Sequence, residues 1–285
     1  MPVAFIGHGS PMNTLENNDY TAKWQQFGQL FAAGQHSRAM NEAGLYARPK
    51  AVLMISAHWY GPGVQVHNTM TPPVIHDFMG FPPELFAFDY PAPGSPFLPQ
   101  EVMNRLREHS APQPLILTPK WGLDHGAWSV LAHIFPEADV PVTQFQIDST
   151  RPARWHLEAG KMLRSLRDEG VLIIGSGNVV HNLGRMNMAV DATAHPSSVR
   201  FHDYIVDALR NNDEDALCNY ADHPDAAYAV PTPEHFLPLL YVAGARRGED
   251  FGLVTDGYEF SSLSMLSFFF GVNSGALSPK PASAY

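Results

Sequence analysis

The chain is poor in cysteine, in basic charge and in long apolar runs, and each shortage removes a class of protein. Of its 285 residues only Cys218 is a cysteine, so neither an internal disulfide nor a thiolate metal cluster is available. Cys218 is expected to be a small core filler rather than a nucleophile. A chain without disulfides suits a reducing compartment. Lysine and arginine number 18 against 28 acidic residues, a net charge of −10. That balance argues against nucleic acid and anionic membranes as partners, since both reward basic surfaces. The longest aromatic-rich run, Met265-Leu266-Ser267-Phe268-Phe269-Phe270, is far too short to span a bilayer. The N-terminus runs directly into a strand-like segment with no basic region and long apolar stretch before it, so no signal peptide is visible. The expected location is the cytoplasm. The sequence also lacks a P-loop, a Gly-x-Ser-x-Gly elbow and a His-Glu-x-x-His helix. Gly175-Ser176-Gly177-Asn178-Val179-Val180 follows a strand but carries Val180 where a dinucleotide loop needs its third glycine.

What is present is material for a sizeable core: 45% of residues are hydrophobic. Short apolar runs alternate with helical patterns, which predicts an α/β fold with a central mixed sheet flanked by helices. Strands are expected at Val3–Ile6, Ala51–Ser56, Val64–His67, Pro114–Leu117, Val140–Ile147, Val171–Gly175, Phe251–Val254 and Ser262–Phe269. Helices are expected at Asp19–Ala33, Pro99–His109, Trp128–Phe135, Pro152–Asp168, Ser197–Asn211 and Glu234–Ala245. In Pro152–Asp168, Trp155, Leu157, Met162, Leu163 and Leu166 recur at helical spacing, with Thr150 offering a cap oxygen. Residues 1–272 read as one catalytic domain and 273–285 as a flexible tail. Between Pro72 and Pro99 the chain changes character, with eight prolines and aromatics at Phe78, Phe81, Phe86, Phe88, Tyr90 and Phe97. Such an aperiodic stretch reads either as a lid over a site or as a surface excursion anchored by its aromatics.

Fourteen histidines guarantee some with purely structural work. His36, His67, His109, His133, His195 and His202 carry no supporting context, and His156 lies on a helix beside Trp155, where it is expected to pack or cap. Four others sit in short punctuated motifs: Gly7-His8-Gly9-Ser10-Pro11, Ser56-Ala57-His58-Trp59, Gly177-Asn178-Val179-Val180-His181-Asn182 and Pro231-Thr232-Pro233-Glu234-His235. Three of the four follow strand-like runs, and strand C-terminal ends are where open α/β sheets place ligands. Neutral imidazole is a ligand for zinc, iron and copper. His8, His58 and His235 are therefore candidate metal ligands, with Glu234 a rival to His235. His181 divides between fourth ligand and general base. The hydroxyl of Ser56 is expected to orient the His58 ring. A fifth residue, His125 in Asp124-His125-Gly126, is a candidate acid/base or substrate contact, with Asp124 biasing its charge; the competing reading is a turn stabiliser.

With these motifs the chain resembles the 4,5-DOPA dioxygenase extradiol family, within the class III extradiol ring-cleaving dioxygenases related to the protocatechuate 4,5-dioxygenase β subunit. Ile75-His76-Asp77-Phe78, Tyr90-Pro91-Ala92-Pro93-Gly94-Ser95-Pro96 and Asp124-His125-Gly126 fall in order with the four histidine motifs, and the likeness runs from Pro2 to Val272. The resemblance implies a single metal at one end of the sheet, a catechol and O₂ as small-molecule partners, and Fe(II) for activity. It implies that His8 and His58 are the N-terminal ligands, that His235 takes a third position held by glutamate in the protocatechuate branch, that His181 is the catalytic base and can close onto the metal without substrate, and that His125 contacts the substrate's oxygen. A carboxylate in the third position is diagnostic of Fe(II) oxygenases, whereas an all-imidazole set also satisfies tetrahedral Zn(II), so the resting ion stays open. His76 and Tyr90 are weaker candidates for contact with the ring substituent. Two other readings use the same histidines: a zinc hydrolase, and a metal-binding protein without turnover.

Overall fold

The computed structural model describes residues 1–32, 46–110, 114–189 and 192–271. His36 and the expected tail 273–285 lie outside the described residues. The apolar runs form a six-stranded sheet from β1 (Val3–Gly7), β2 (Ala51–Ser56), β3 (Val142–Gln144), β4 (Val171–Gly177), β5 (Phe251–Thr255) and β6 (Ser267–Phe270), in the order β5-β6-β1-β4-β2-β3. The four strands β1, β4, β2 and β3 are mutually parallel, while β6 and β5 run antiparallel at one edge. The sheet is thus mixed.

Strands β1, β2 and β4 are buried along their whole length, as expected where helices cover both faces. Alternation within each strand sorts their side chains. Val3, Phe5, Leu53, Ile55, Val171 and Ile173 pack into one core with helices Leu98–Ser110, Ala153–Leu163, Pro196–Asn211 and Leu237–Gly244. Ala4, Ile6, Val52, Met54, Leu172 and Ile174 pack into a second core with helices Asp19–Gly28 and His125–Ile134. The outcome is a three-layer sandwich in which β1, β2 and β4 all end at the same rim.

Several boundaries differ from expectation for identifiable reasons. The first helix ends at Gly28, and the chain then enters a two-residue strand, Phe31–Ala32, paired with Tyr46–Ala47. Val140–Ile147 is two short strands, and so is Ser262–Phe269; the edge pairing of the latter carries a register shift between Leu253 and Thr255. Thr150 caps no helix: its hydroxyl donates to Asp148 Oδ1 at 2.7 Å, and the next helix starts behind Pro152 with no side-chain cap. The last helix begins at Leu237, not Glu234, so His235 sits in the turn before it. Cys218 is half-buried against the core, and burial pushes its thiol up to about 11. Among the described residues no helix is long and apolar enough to cross a membrane.

Candidate metal centre and active site

Five chain segments deliver histidines to the common rim. His8 directly follows β1, and its amide donates to the carbonyl of Gly177 at the end of neighbouring β4. His58 lies two residues past β2. His235 arrives from the far side: Asn178 N–H donates to its carbonyl at 2.9 Å, pinning the proline-rich turn onto the end of β4. That contact needs glycine at 177, because a Cβ there would collide with the His235 carbonyl. His125 starts a helix capped by Asp124, whose carboxylate accepts from Ala127 N–H at 3.2 Å. Gly126 lets that helix end approach, since a Cβ would fall 2.5 Å from Ser56 Oγ and 2.8 Å from His58 Cδ2.

The rings converge. His8 and His58 present Nε2 atoms 3.2 Å apart, and ligand atoms of His8, His58 and His235 all lie within 4.8 Å of one another. His181 stacks on His235 with centroids 3.4 Å apart and planes 5° from parallel. The His125 and His58 centroids are 3.8 Å apart. All five expected histidines therefore share one site.

Hydrogen bonds assign the tautomers. The Ser176 hydroxyl donates to the Gly126 carbonyl at 2.6 Å, so its oxygen accepts from His8 Nδ1–H at 2.9 Å. The carboxylate of Asp77, unable to donate when ionised, accepts from His58 Nδ1–H at 3.1 Å and from His125 Nδ1–H at 2.8 Å. Glu234 accepts from His235 Nδ1–H at 3.2 Å. In each ring the proton sits on Nδ1 and the Nε2 lone pair is left free. Two lone pairs facing each other at 3.2 Å repel unless a cation lies between them, and outer partners on Nδ1–H are how proteins orient metal-binding imidazoles. The residues present fit a metal ion.

Electrostatics agree. Burial first, then the adjacent imidazoles, push His8 and His235 well below the ordinary histidine value. Burial lowers His181 to about 4. Burial and His58 lower His125 against the pull of Asp77. A proton on His8, His125, His181 or His235 is opposed first by burial and then by nearby imidazoles, so these rings stay neutral and able to ligate. Burial works to raise the Asp77 carboxyl, yet hydrogen bonds from His125 and His58 hold it well below the carboxylate range.

The histidines floor a cleft of about 520 Å³ whose walls include Met12, Phe78, Phe81, Leu183, Met188 and Phe260. Part of the Pro72–Pro99 segment is thus cleft wall and part is anchored excursion: Phe88 stacks on Trp128, and the short helix Pro83–Phe86 buries Leu85. The structure does not bring His76 or Tyr90 into the cleft. His76 Nε2 donates to the Phe88 carbonyl at 3.0 Å, and Tyr90 is buried with its hydroxyl donating to the Phe135 carbonyl. Ser56 also differs from expectation. Its hydroxyl donates to Asp124 at 2.6 Å and accepts from the His58 backbone N–H, leaving the His58 ring to Asp77. Asp77 is the participant that sequence reasoning missed. Its only signal was position inside a motif, since nothing in its own neighbourhood announces partners from two distant segments.

An imidazole cluster at a sheet rim, beneath a largely apolar cleft of about 520 Å³, fits a metal-dependent enzyme acting on small molecules. Residues 2–271 match the family of the catalytic LigB subunit of aromatic ring-opening dioxygenase. The chain is 45% identical to a protein of Escherichia coli K12 named 4,5-DOPA dioxygenase extradiol, over 95% of each chain, and 36% identical to one of the same name in Beta vulgaris, over 85% of each. The crystal structure of an uncharacterized protein from Escherichia coli K12 superposes with a TM-score of 0.78 at 40% identity, covering 95% of this chain and all of that one. The chain belongs to the LigB family, on its 4,5-DOPA dioxygenase extradiol branch, and is an extradiol aromatic ring-opening dioxygenase. That assignment leaves the hydrolase and the non-catalytic readings without support.

Proposed function

We propose that the protein opens the ring of a DOPA-like catechol with O₂ at a single Fe(II), and that His8, His58 and His235 hold the ion. The observation that carries this is the tautomer pattern: three rings tied through Nδ1–H, with their remaining nitrogens turned to one point. Bound iron would supply the one-electron chemistry that dioxygen requires and that zinc, with no accessible redox change, lacks.

The protein's own groups do the rest. Phe78 and Phe81 stand beside the histidines and offer aromatic faces to a flat ring. His125, fixed through Nδ1–H to Asp77, keeps a lone pair on Nε2 and accepts a proton from a catechol hydroxyl. Asp77 stabilises the imidazolium that results. His181, neutral at physiological pH, is the second proton acceptor, and its stacking on His235 keeps it beside the ligand set. Apolar walls limit water at the reacting ring. Both atoms of O₂ end in the product, a ring-opened semialdehyde. The single cysteine supports the cytoplasm as the place of work.

Protein reconstituted anaerobically with Fe(II), offered DOPA and simple catechols in an oxygen electrode, is expected to consume O₂ and form a yellow product, whereas Zn(II)-loaded protein consumes none. No uptake across the panel would overturn the proposal. His181→Ala is expected to lose turnover while still binding metal; if metal is lost completely, His181 is chiefly a ligand.

A further inference from the structure

The cleft is electrostatically one-sided. Besides Asp77 its lining carries two carboxylates, Glu16 and Glu259, and among the described residues no lysine or arginine. Arg185 falls in sequence among lining residues but borders a separate hollow with Asn187, His195 and Tyr228. Glu259 is the better placed carboxylate. It sits on a two-residue strand, Tyr258–Glu259, paired with Leu263–Ser264, and the turn between them holds Phe260 and Ser261 at φ of 52° and 69°. Its Oε2 accepts from Ser10 N–H at 3.2 Å and its Oε1 from Asn13 Nδ2 at 3.0 Å. Oε2 lies against Gly9, 2.6 Å from where a Cβ would be, which puts the carboxylate one residue from His8. Both donors are neutral; burial pushes the Glu259 carboxyl up, and the neighbouring Glu16 carboxylate pushes it the same way. The carboxylate is held in position at the cleft wall, and among the described residues no cationic side chain lines the cleft to balance it.

We propose that Glu259 anchors a cationic group on the substrate's side chain, so that the enzyme reads an ammonium and ignores or repels a carboxylate. The assignment rests on the catechol reading above and adds which substituent is selected. Of a catechol carrying an amino-acid side chain, the amine is the recognised part. Catechols with an aminoalkyl chain alone are then good ligands, and those with a carboxyalkyl chain are poor ones. A hydrogen bond to a charged partner is worth enough to give a preference on the order of tenfold or more.

Binding is measured by calorimetry on redox-inert, Zn(II)-loaded protein, using 4-(2-aminoethyl)catechol, 4-methylcatechol and 3-(3,4-dihydroxyphenyl)propionate. Wild type is expected to bind the amine about tenfold tighter than the methyl compound, and the propionate weakest. In Glu259→Gln the amine-to-methyl ratio is expected to fall below about threefold, and in Glu259→Lys the propionate overtakes the amine. Ratios taken within one variant cancel any loss of folded protein. An amine-to-methyl ratio near one in wild type, or one unchanged in Glu259→Gln, overturns the anchor. Oxygen uptake by Fe(II)-loaded protein separates this from the reaction itself. Cleavage of 4-methylcatechol without an amine preference sinks the anchor and leaves the dioxygenase reading intact. Glu259-dependent amine binding without uptake on any catechol does the reverse.

Discussion

Two sets of buried histidines occupy this molecule, and they differ in what their nitrogens have left over. His133 donates from Nε2 to the Asn13 carbonyl and accepts at Nδ1 from Gln25. His156 donates from Nε2 to the Arg151 carbonyl and accepts at Nδ1 from the Tyr241 hydroxyl. His202 lies between Ser264 Oγ and Asp256. Each of these rings is closed, with both nitrogens spent on neighbours. At the sheet rim the His8, His58, His125 and His235 rings are half open, with Nδ1–H tied and Nε2 free. Burial lowers basicity in members of both sets, in His133 and His156 as in His8, His125, His181 and His235, and about as far in His156 as in His181. Neither burial nor a depressed pKa therefore marks a functional histidine here; the convergence of unspent lone pairs does.

Substitutions can break this contrast at either end. The largest effect is expected from His58→Ala, which opens the three-ring set: metal content after dialysis and ring-opening activity should both fall to background. A protein that kept its metal would remove His58 from the ligand set.

The closed set is predicted to reveal itself through stability instead. The folded-state pKa of His156 is lowered from 6.5 to about 4, so below pH 6.5 the unfolded chain binds a proton that the folded one refuses. Stability is full above pH 6.5 and declines as pH falls toward 4, by on the order of 3 kcal/mol for this group. His156→Gln should flatten the fall in Tm between pH 8 and pH 5 relative to wild type, measured by calorimetry. An unchanged slope would show that His156 is not the group responsible.

A smaller effect should follow Asp77→Asn, which keeps shape but removes the charge that orients two rings. Loss of an outer partner of this kind costs about 10- to 100-fold in metal affinity or activity. Titration with a competing chelator alongside steady-state assays would tell whether the loss falls on His58, as weaker metal binding, or on His125, as lower kcat with the metal retained. The smallest change is expected at the rim. Leu183 is 59% exposed, so Leu183→Ala should shift KM by less than about threefold and leave kcat alone; a larger change would make that rim part of the substrate grip.

How much of this was legible beforehand followed from how local the signal was. His8 and His58 could be read because each comes just after an apolar strand, so position in the chain and position at the rim coincide. The three central strands were legible for the same reason: a sheet buried on both faces leaves continuous apolar runs. The role of Asp77 was not legible, because its partners come from β2 and from a helix on the other side of the sequence, and its own surroundings are aperiodic. Ser56 was read as the His58 partner from proximity in sequence, yet its hydroxyl turns away to Asp124. Tyr90 carried the polar handle of a substrate contact, but burial required that handle for the Phe135 carbonyl. Glu259 gave no sign at all, being one acid in a hairpin too short to show alternation.

The two oxygens of Asp77 are divided between two rings, one on His58, which we propose holds the metal, and the other on His125, which we propose takes up substrate protons. When His125 becomes positively charged it draws that carboxylate's electron density toward itself, and His58 becomes a weaker donor at the same moment. Grip on the ion and appetite for protons are therefore set by one shared anion.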